Sequence, residues 1–300
     1  MLKQRVITAI VLLAILLPAL FYRTPVPFCV VAMVLIAAGA WEWGRLNPAP
    51  AADGGSPATS SATATPYLLA VICLALCGAS WYVGLLERSL PLLWSVAGAA
   101  WVLAGAWLLK NGVAGWPRIP RMVRLTMGVI ALWLAWLAVA QARFVGVGFL
   151  LSVLMLVWVA DIGAYFAGKG LGGRFSKGKL APSISPGKSW EGVWGGMAGV
   201  VLMALLWISL DWSSPGVPGS GALDGSLHAR LADRHGVWLL VVAVVFLAAM
   251  SVVGDLVESL VKRSAGAKDS SNLLPGHGGV LDRVDALLPT LPLAMMLVSF

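Results

Sequence analysis

Long apolar segments alternate with short polar segments along almost the whole chain. Each apolar run is long enough to cross about 30 Å of hydrocarbon as an α-helix. Lipid offers no partner to free backbone groups, and the period-2 alternation of a membrane barrel is absent, so the spans must be helical. The pattern predicts an all-α polytopic protein with about nine transmembrane helices, at residues 6–22, 26–44, 67–86, 90–109, 125–141, 144–167, 192–210, 236–257 and 284–300.

Composition supports a membrane protein. The 300 residues are 59% hydrophobic and 11% charged, whereas about a quarter of the residues of a soluble domain are charged. The net charge of +8 could indicate a nucleic-acid partner, but the basic residues lie in short loops between the spans, and membrane topology explains them better. We therefore expect no nucleic-acid partner.

The distribution of Lys and Arg predicts an orientation. With nine crossings, one side of the membrane holds all but five of the 21 basic residues, the five being Arg23, Arg88, Arg143, Arg230 and Arg234. The positive-inside rule then places the N-terminus in the cytoplasm and the C-terminus in the periplasm of a bacterial inner membrane.

The chain divides into three regions on this topology. Residues 1–110 hold helices 1–4, residues 111–168 hold helices 5 and 6, and residues 169–300 form a C-terminal catalytic region with helices 7–9 and two cytoplasmic loops. Two stretches, Asn47–Pro66 and Asp211–His235, are predicted to be solvated connectors. His228 and His235 lie in the second connector and are expected at the surface.

Acidic residues cluster in or beside the last two large cytoplasmic loops. Because a carboxylate inside a span costs roughly 2.5–3.5 kcal/mol, Asp255 is a functional candidate. Residues 255, 258, 259 and 262 share one helical face. The alternative is an ion pair between Glu258 and Lys262 where the helix leaves the membrane. The clustered residues are Asp161, Glu191, Asp255, Glu258, Asp269, Asp282 and Asp285.

A glycine-rich turn, residues 275–279, leads into the ninth span and is followed by Asp282 and Asp285. These two carboxylates are three residues apart and project together. They could simply cap the helix, as the helix dipole favours. Capping does not explain why Asp255 faces the same cytoplasmic mouth, and three carboxylates are a ligand set suited to Mg²⁺. The sequence therefore predicts a divalent-cation site.

The loop before the seventh span combines glycine with basic residues, which suits a polyphosphate ligand. Gly lets backbone N–H groups approach phosphate oxygens, and the start of the next helix, at Ser189 or Glu191, attracts anions. Lys188 is the favoured functional residue, whereas Lys177 and Lys179 are equally well explained by membrane topology. Neither a Rossmann fingerprint nor a P-loop is present, because the glycines follow a membrane helix and Pro182 stands where a P-loop needs Gly.

Two motifs resemble those of the phosphatidate cytidylyltransferases, also called CDP-diacylglycerol synthases. The first is Asp161-x-x-Ala164-Tyr165-x-x-Gly168-Lys169, leading to Ser185-Pro186-x-Lys188-Ser189-x-Glu191-Gly192. The second is Ser259-x-x-Lys262-Arg263-x4-Lys268-Asp269, then Pro275-x-His277-Gly278-Gly279-x-x-Asp282-Arg283-x-Asp285. Gly187 and Ser189 depart mildly from the family pattern. The specific resemblance covers roughly residues 158–292, and a weaker similarity is present at Glu42-Trp43.

This resemblance implies transfer of CMP from CTP to phosphatidate by a homodimer in contact with membrane lipids. It implies a metal centre at Asp255, Asp282 and Asp285 that pairs Mg²⁺ with a second cation such as K⁺, in a funnel open to the cytoplasm and to lipid. We assign the remaining residues by charge. The catalytic candidates besides the aspartates are Lys262, Arg263 and His277. His277 would stabilise the leaving pyrophosphate, and the alternative is a structural His that locks the glycine-rich turn by hydrogen bonds. The substrate-binding candidates are Asp161, Lys169, Lys188, Ser189, Glu191, Lys268, Asp269 and Arg283.

Two other functions fit parts of the pattern. A CTP-dependent lipid kinase would bind the same nucleotide but release CDP instead of pyrophosphate. A transporter would also bury carboxylates, but the inverted repeats and broken helices of many transporters are not evident in the sequence.

Overall fold

The computed structural model describes residues 2–49, 60–176, 178–212 and 225–299. Parts of both predicted connectors and the candidate Lys177 lie outside these ranges. The elements are α1 Leu2–Phe21, α2 Val26–Leu46, α3 Ser60–Tyr82, α4 Pro91–Gly115, a 3₁₀ turn Trp116–Arg118, α5 Arg121–Val145, α6 Val147–Leu171, β1 Lys179–Ala181, β2 Ser185–Ser189, α7 Trp190–Trp212, α8 Leu227–His235, α9 Val237–Ser264, α10 Leu281–Val284 and α11 Leu287–Val298.

Eight helices within the described ranges, α1–α7 and α9, are long and apolar enough to cross a bilayer. The prediction of an all-α, multi-pass membrane protein is confirmed at that level. The ninth apolar run forms two pieces, α10 and α11. Helix α11 has 12 residues, or about 18 Å at 1.5 Å per residue, which is short of the hydrocarbon thickness.

Helices α6 and α7 pack closely because glycines line their interface. A Cβ at Gly196 would lie 2.6 Å from the backbone oxygen of Ala160, and one at Gly163 would lie 3.0 Å from the oxygen of Gly195. Small residues let membrane helices approach backbone to backbone, since burial from lipid gives little hydrophobic gain. The contact brings the end of α6 beside the start of α7, where the two-stranded hairpin β1–β2 also lies.

At one end of the bundle, side chains tie several loops together. Arg121 donates to the backbone oxygen of Asn47 at 3.1 Å, and Trp43 donates to that of Arg124 at 3.0 Å. Arg5 of α1 donates to the backbone oxygen of Gly276 at 2.9 Å. The start of the chain therefore contacts the glycine-rich turn that precedes α10.

The other end of α5 has a second set of such bonds. Gln141 donates to the backbone oxygen of Leu85 at 2.6 Å, and Arg143 donates to that of Tyr22 at 2.6 Å. These contacts join the carboxyl ends of α1, α3 and α5. The two sets hold the helices at both ends of the bundle, so the loops at each end have fixed neighbours.

The prediction for Asp211–His235 was wrong over its last residues. Residues 227–235 form helix α8, whose first turn is capped by the Ser226 hydroxyl accepting from the N–H of Ala229 at 3.1 Å. His228 is fully buried, not at the surface, and its ring lies 5.4 Å from that of Trp207. Leu227 and Leu231 are also buried. The segment is polar on average, so its composition did not indicate this nine-residue amphipathic helix. His235, its last residue, is partly exposed.

Burial lowers the pKa of His228 from 6.5 to about 4, which makes stability depend on pH. A His with a depressed folded-state pKa favours folding above its unfolded pKa, and this contribution falls as pH decreases from about 6.5 to about 4. We expect His228→Phe to reduce the loss of thermal stability between pH 7.5 and pH 5, measured by melting in detergent. His235→Phe is the matched control and should behave like the wild type. Equal pH dependence in all three proteins would contradict the prediction.

Candidate active site

An ion pair joins the first sequence motif to helix α9, four residues before the second motif begins. Lys188, at the end of the hairpin, places its ammonium 2.5 Å from a carboxylate oxygen of Asp255 on α9. The pair borders a cavity of about 410 Å³, and both side chains remain partly exposed to it. Five predicted site residues line this cavity, namely Asp161, Lys169, Lys188, Ser189 and Asp255.

The loop before α7 is held by short-range bonds. Ser189 caps α7 by accepting the N–H of Gly192 at 3.2 Å. Glu191 is buried and accepts from the backbone N–H of Ser176 at 2.8 Å and of Phe175 at 3.2 Å. Lys179 donates to the oxygen of Pro186 at 2.6 Å and closes the hairpin. In the part of the loop that the structure describes, Glu191 therefore holds the glycine-rich backbone and contacts neither Lys169 nor Lys188.

On α9, the predicted polar face is present and carries a buried three-charge chain. Lys262 lies 2.5 Å from Glu258 on its own helix and 2.5 Å from Asp282 on α10. All three side chains are nearly buried, and removing the shared Lys262 would leave two carboxylates without a cation. The ion pair between Glu258 and Lys262 that the spacing allowed is thus real, and it extends to a second helix.

Asp282 accepts hydrogen bonds through both carboxylate oxygens. One oxygen receives the Lys262 ammonium, and the other receives the N–H of Gly279 at 2.7 Å and of Ser270 at 2.9 Å. Burial opposes ionisation, but these bonds outweigh it, and the pKa of Asp282 lies below its usual value. Gly278, with φ +85°, leaves no room for a side chain beside this carboxylate.

Asp285 lies against the helix that carries Asp255. A Cβ at Gly254 would collide with the backbone oxygen of Asp285. The Asp285 carboxylate accepts the N–H of Ala286 at 2.8 Å. Asp255 and Asp285 therefore lie on facing segments, and paired carboxylates are a favourable place for a cation.

Mg²⁺ was predicted to bind Asp255, Asp282 and Asp285 together. Within the described ranges, the structure has no group of three His, Cys, Asp or Glu side chains arranged to hold a metal ion. Asp282 instead has its oxygens occupied by protein donors. Asp255 also receives protein donors, Lys188 at 2.5 Å and Ser259 at 3.3 Å, but it lines the polar cavity. With Asp285 it forms a pair suited to Mg²⁺, which is commonly held by one or two carboxylates together with substrate phosphates and water.

The other predicted residues lie around this centre. Lys169 lies over the Tyr165 ring, 5.7 Å from its centroid. Arg263 donates to the oxygen of Ala267 just after α9, at 3.0 Å. Arg283 donates to the backbone oxygen of His277 at 2.7 Å, which braces the glycine-rich turn. Lys268 and Asp269 are exposed on the loop that joins α9 to α10.

Glu42, with Ser270 and Ser271, was not among the predicted site residues. Glu42 is completely buried near the end of α2 and accepts the backbone N–H groups of Val280 and Leu281 at 2.9 and 2.7 Å. A signal was present in the sequence, because Glu42 is the one acidic residue of an otherwise apolar span, between Trp41 and Trp43. The two serines carried no comparable signal.

The chain matches the cytidylyltransferase family over residues 3–300. Together with the multi-pass fold and the polar cavity, this match shows that the chain belongs to that family and is a membrane-bound nucleotidyltransferase. It is 38% identical over 296 residues to the phosphatidate cytidylyltransferase of Pseudomonas aeruginosa, covering 97% of this chain and 95% of the relative. It is 36% identical over 306 residues to that of Haemophilus influenzae, covering 97% and 96%.

Asp282→Asn should reduce turnover at least about a hundredfold. An amide group would point its NH₂ either at the Lys262 ammonium or at the N–H groups of Gly279 and Ser270, and a buried donor facing a donor costs about 1–3 kcal/mol, more when charged. The measurement is the rate of CMP transfer by the purified protein. Asp233→Asn, on α8 at the other end of the bundle, is the matched control. A near-normal rate for the Asp282 variant would show that this carboxylate is dispensable.

Proposed function

We propose that this chain transfers CMP from CTP to phosphatidate and releases pyrophosphate, which gives CDP-diacylglycerol. The proposal rests on similarity to phosphatidate cytidylyltransferases along nearly the whole chain. The observation that carries it in the structure is the pair of Lys188 and Asp255. This pair joins the first motif to helix α9, which also carries the start of the second motif, at a cavity near the end of a membrane span.

The chemistry requires charge control more than proton transfer. The phosphate oxygen of phosphatidate is already an anion, and it forms a bond to the α-phosphorus of CTP while the bond from that phosphorus to the bridging oxygen of pyrophosphate breaks. Lys188 and Lys169 face the cavity and neutralise the reacting phosphates. Since no side chain needs to deprotonate the nucleophile, a Ser-His-Asp set is not required.

The lipid substrate explains why the site belongs at the end of membrane helices. The acyl chains stay in the hydrocarbon while the phosphate reaches a polar cavity that a water-soluble nucleotide also enters. Arg283 and Arg263 are exposed beside the turn and are suited to attract the anionic reactants. Lys268 adds positive charge to the same loop.

Mg²⁺ bound by Asp255 and Asp285 would supply positive charge between the phosphates of the two reactants. Asp282, on α10, does not bind the ion in this proposal. Its contacts with Lys262 and Gly279 hold α10 in place beside the pair. A second cation such as K⁺ belongs to the same proposal, from the family resemblance. Undiminished activity in excess EDTA would disprove the magnesium assignment.

The topology that fits this function has nine crossings, the last made by the short helix α11, with the N-terminus and the site in the cytoplasm and the C-terminus in the periplasm of a bacterial inner membrane. Support comes from Arg5, whose bond to Gly276 joins α1 to the site end, and from Arg234, whose bond to Val298 at 3.4 Å joins α8 to the end of α11. A homodimer embedded in lipid completes the proposal. Accessibility of introduced cysteines in intact cells tests the topology. Cross-linking in membranes tests the homodimer.

CTP labelled on a single phosphate tests the reaction. We expect label on the α-phosphate to appear in the lipid product and label on the γ-phosphate to appear in pyrophosphate. A CTP-dependent lipid kinase would instead transfer the γ-label to lipid and release CDP. A transporter would transfer neither the α-label nor the γ-label to lipid. It would instead move its substrate across the membrane of vesicles that contain the purified wild-type protein.

Lys188→Ala should weaken substrate binding, because it removes a cation from the cavity and leaves Asp255 unpaired. We expect KM for CTP or for phosphatidate to rise about tenfold or more, in line with about 1.5–3 kcal/mol for a charged hydrogen bond. Lys110→Ala, an exposed lysine near the end of α4, is the control and should leave both KM values unchanged. Unaltered KM values for Lys188→Ala would remove the phosphate-binding role of this loop.

A further inference from the structure

The buried carboxylate of Glu42 contacts a loop more than two hundred residues away in sequence. Its four donors are the hydroxyls of Ser270 and Ser271, at 3.1 and 2.5 Å, and the N–H groups of Val280 and Leu281. Within the described ranges, no basic side chain forms an ion pair with Glu42. Its charge is therefore balanced by hydrogen bonds from this loop.

Each carboxylate oxygen of Glu42 receives one hydroxyl and one backbone N–H. One oxygen accepts from Ser271 and Val280, and the other from Ser270 and Leu281. A hydroxyl can rotate to become an acceptor, but a backbone N–H can only donate. The isosteric amide of Gln would thus point its NH₂ at Val280 or at Leu281, whichever way it turned.

Ser270 links Glu42 to Asp282. Its hydroxyl lies 3.1 Å from Glu42 and 2.9 Å from Asp282, and it can donate to only one of them at a time. Its backbone N–H donates to Asp282 at 2.9 Å. Gly279 passes so close to Glu42 and Ser270 that a Cβ would collide with both. The loop is therefore fixed between two carboxylates from different helices.

We propose that Glu42 is a positioning residue for CMP transfer. Its carboxylate fixes the start of α10, so that Asp282 meets Lys262 and the Asp285 backbone packs against Gly254 of α9. Glu42 itself lies outside the set of residues that line the cavity and acts through Ser270 and the N–H groups of Val280 and Leu281. The inference uses the proposed function only for its activity assay, because hydrogen exchange reports the loop without any substrate.

The test compares Glu42→Gln with the wild type in the full-length, detergent-purified protein. We expect kcat to fall about a hundredfold, which corresponds to about 2.7 kcal/mol, while KM for CTP changes less than about threefold. Amide exchange should accelerate in peptides covering residues 270–286 and stay unchanged in peptides from α3 and α6. Glu87→Gln makes the same chemical change at an exposed position of the other end and should alter none of these values.

A double-mutant cycle tests the route of the effect. Ser270→Ala should cost several-fold in kcat in the wild type and much less in the Glu42→Gln protein, because the two residues act through one contact. Independent, multiplying effects would overturn the proposal. So would a Glu42→Gln protein with normal loop exchange and near-normal kcat, or one with faster exchange throughout the bundle, which would indicate general destabilisation.

Ser271→Ala keeps the proposal testable if Glu42→Gln fails to fold. It removes one donor and leaves the carboxylate and both N–H contacts in place. We expect faster exchange at residues 270–286 and a several-fold lower kcat. Normal exchange together with kcat within twofold of the wild type would overturn the proposal. If the wild type transferred no label from CTP, the proposed function would fail and kcat could not be compared. Amide exchange at residues 270–286 would still show whether Glu42 holds the loop.

Discussion

The cost of placing charge at the depth of a membrane controls the organisation of this site. Lys262, Glu258 and Asp282 are nearly buried, and the Lys262 ammonium contacts both carboxylates and offsets their charge. This condition fixes α10 against α9, since any displacement would separate the charges in a medium that solvates them poorly. The position of Asp285 beside Asp255 follows from the same packing, so the geometry of the site results from satisfying buried charge.

A second constraint comes from close backbone packing. Glycines at the interface of α6 and α7 let these helices approach more closely than larger residues would allow, and the hairpin that carries Lys188 lies directly at the start of α7. The hairpin therefore reaches α9 from a rigid base. Membrane helices without a strong hydrophobic drive to associate depend on such contacts, and here the same contacts help to position Lys188 at the cavity.

Much of the architecture followed from hydropathy, because length and apolar content alone decide which segments can cross a bilayer. Eight long helices and the polar face of α9 agree with the prediction. Helix α8 was missed because it is short and carries a buried His228 on its apolar face. The role of Glu42 was missed for a different reason. Its partners lie far along the chain, and spacing within a helix reports only near neighbours.

The contacts of Asp282 could not be predicted from the spacing of residues along the sequence. Two aspartates three residues apart predict side chains that project together, but the direction of each depends on the donors supplied by other elements. Gly279, Ser270 and Lys262 all point at Asp282, whereas Asp285 faces α9. Such contacts arise only in the folded chain, so ligand sets inferred from local pattern need the surrounding loops before individual atoms can be assigned.

The contact of Arg5 with Gly276 and of Thr8 with Pro275 has a consequence for biogenesis. The first helix leaves the ribosome long before the segment that it must contact has been synthesised. Its hydrophobicity lets it insert alone, but its docking waits for the last two helices. The nascent protein consequently stays open between α1 and the glycine-rich turn until translation is almost complete, and a chain truncated before residue 275 would enter the bilayer without ever forming that contact.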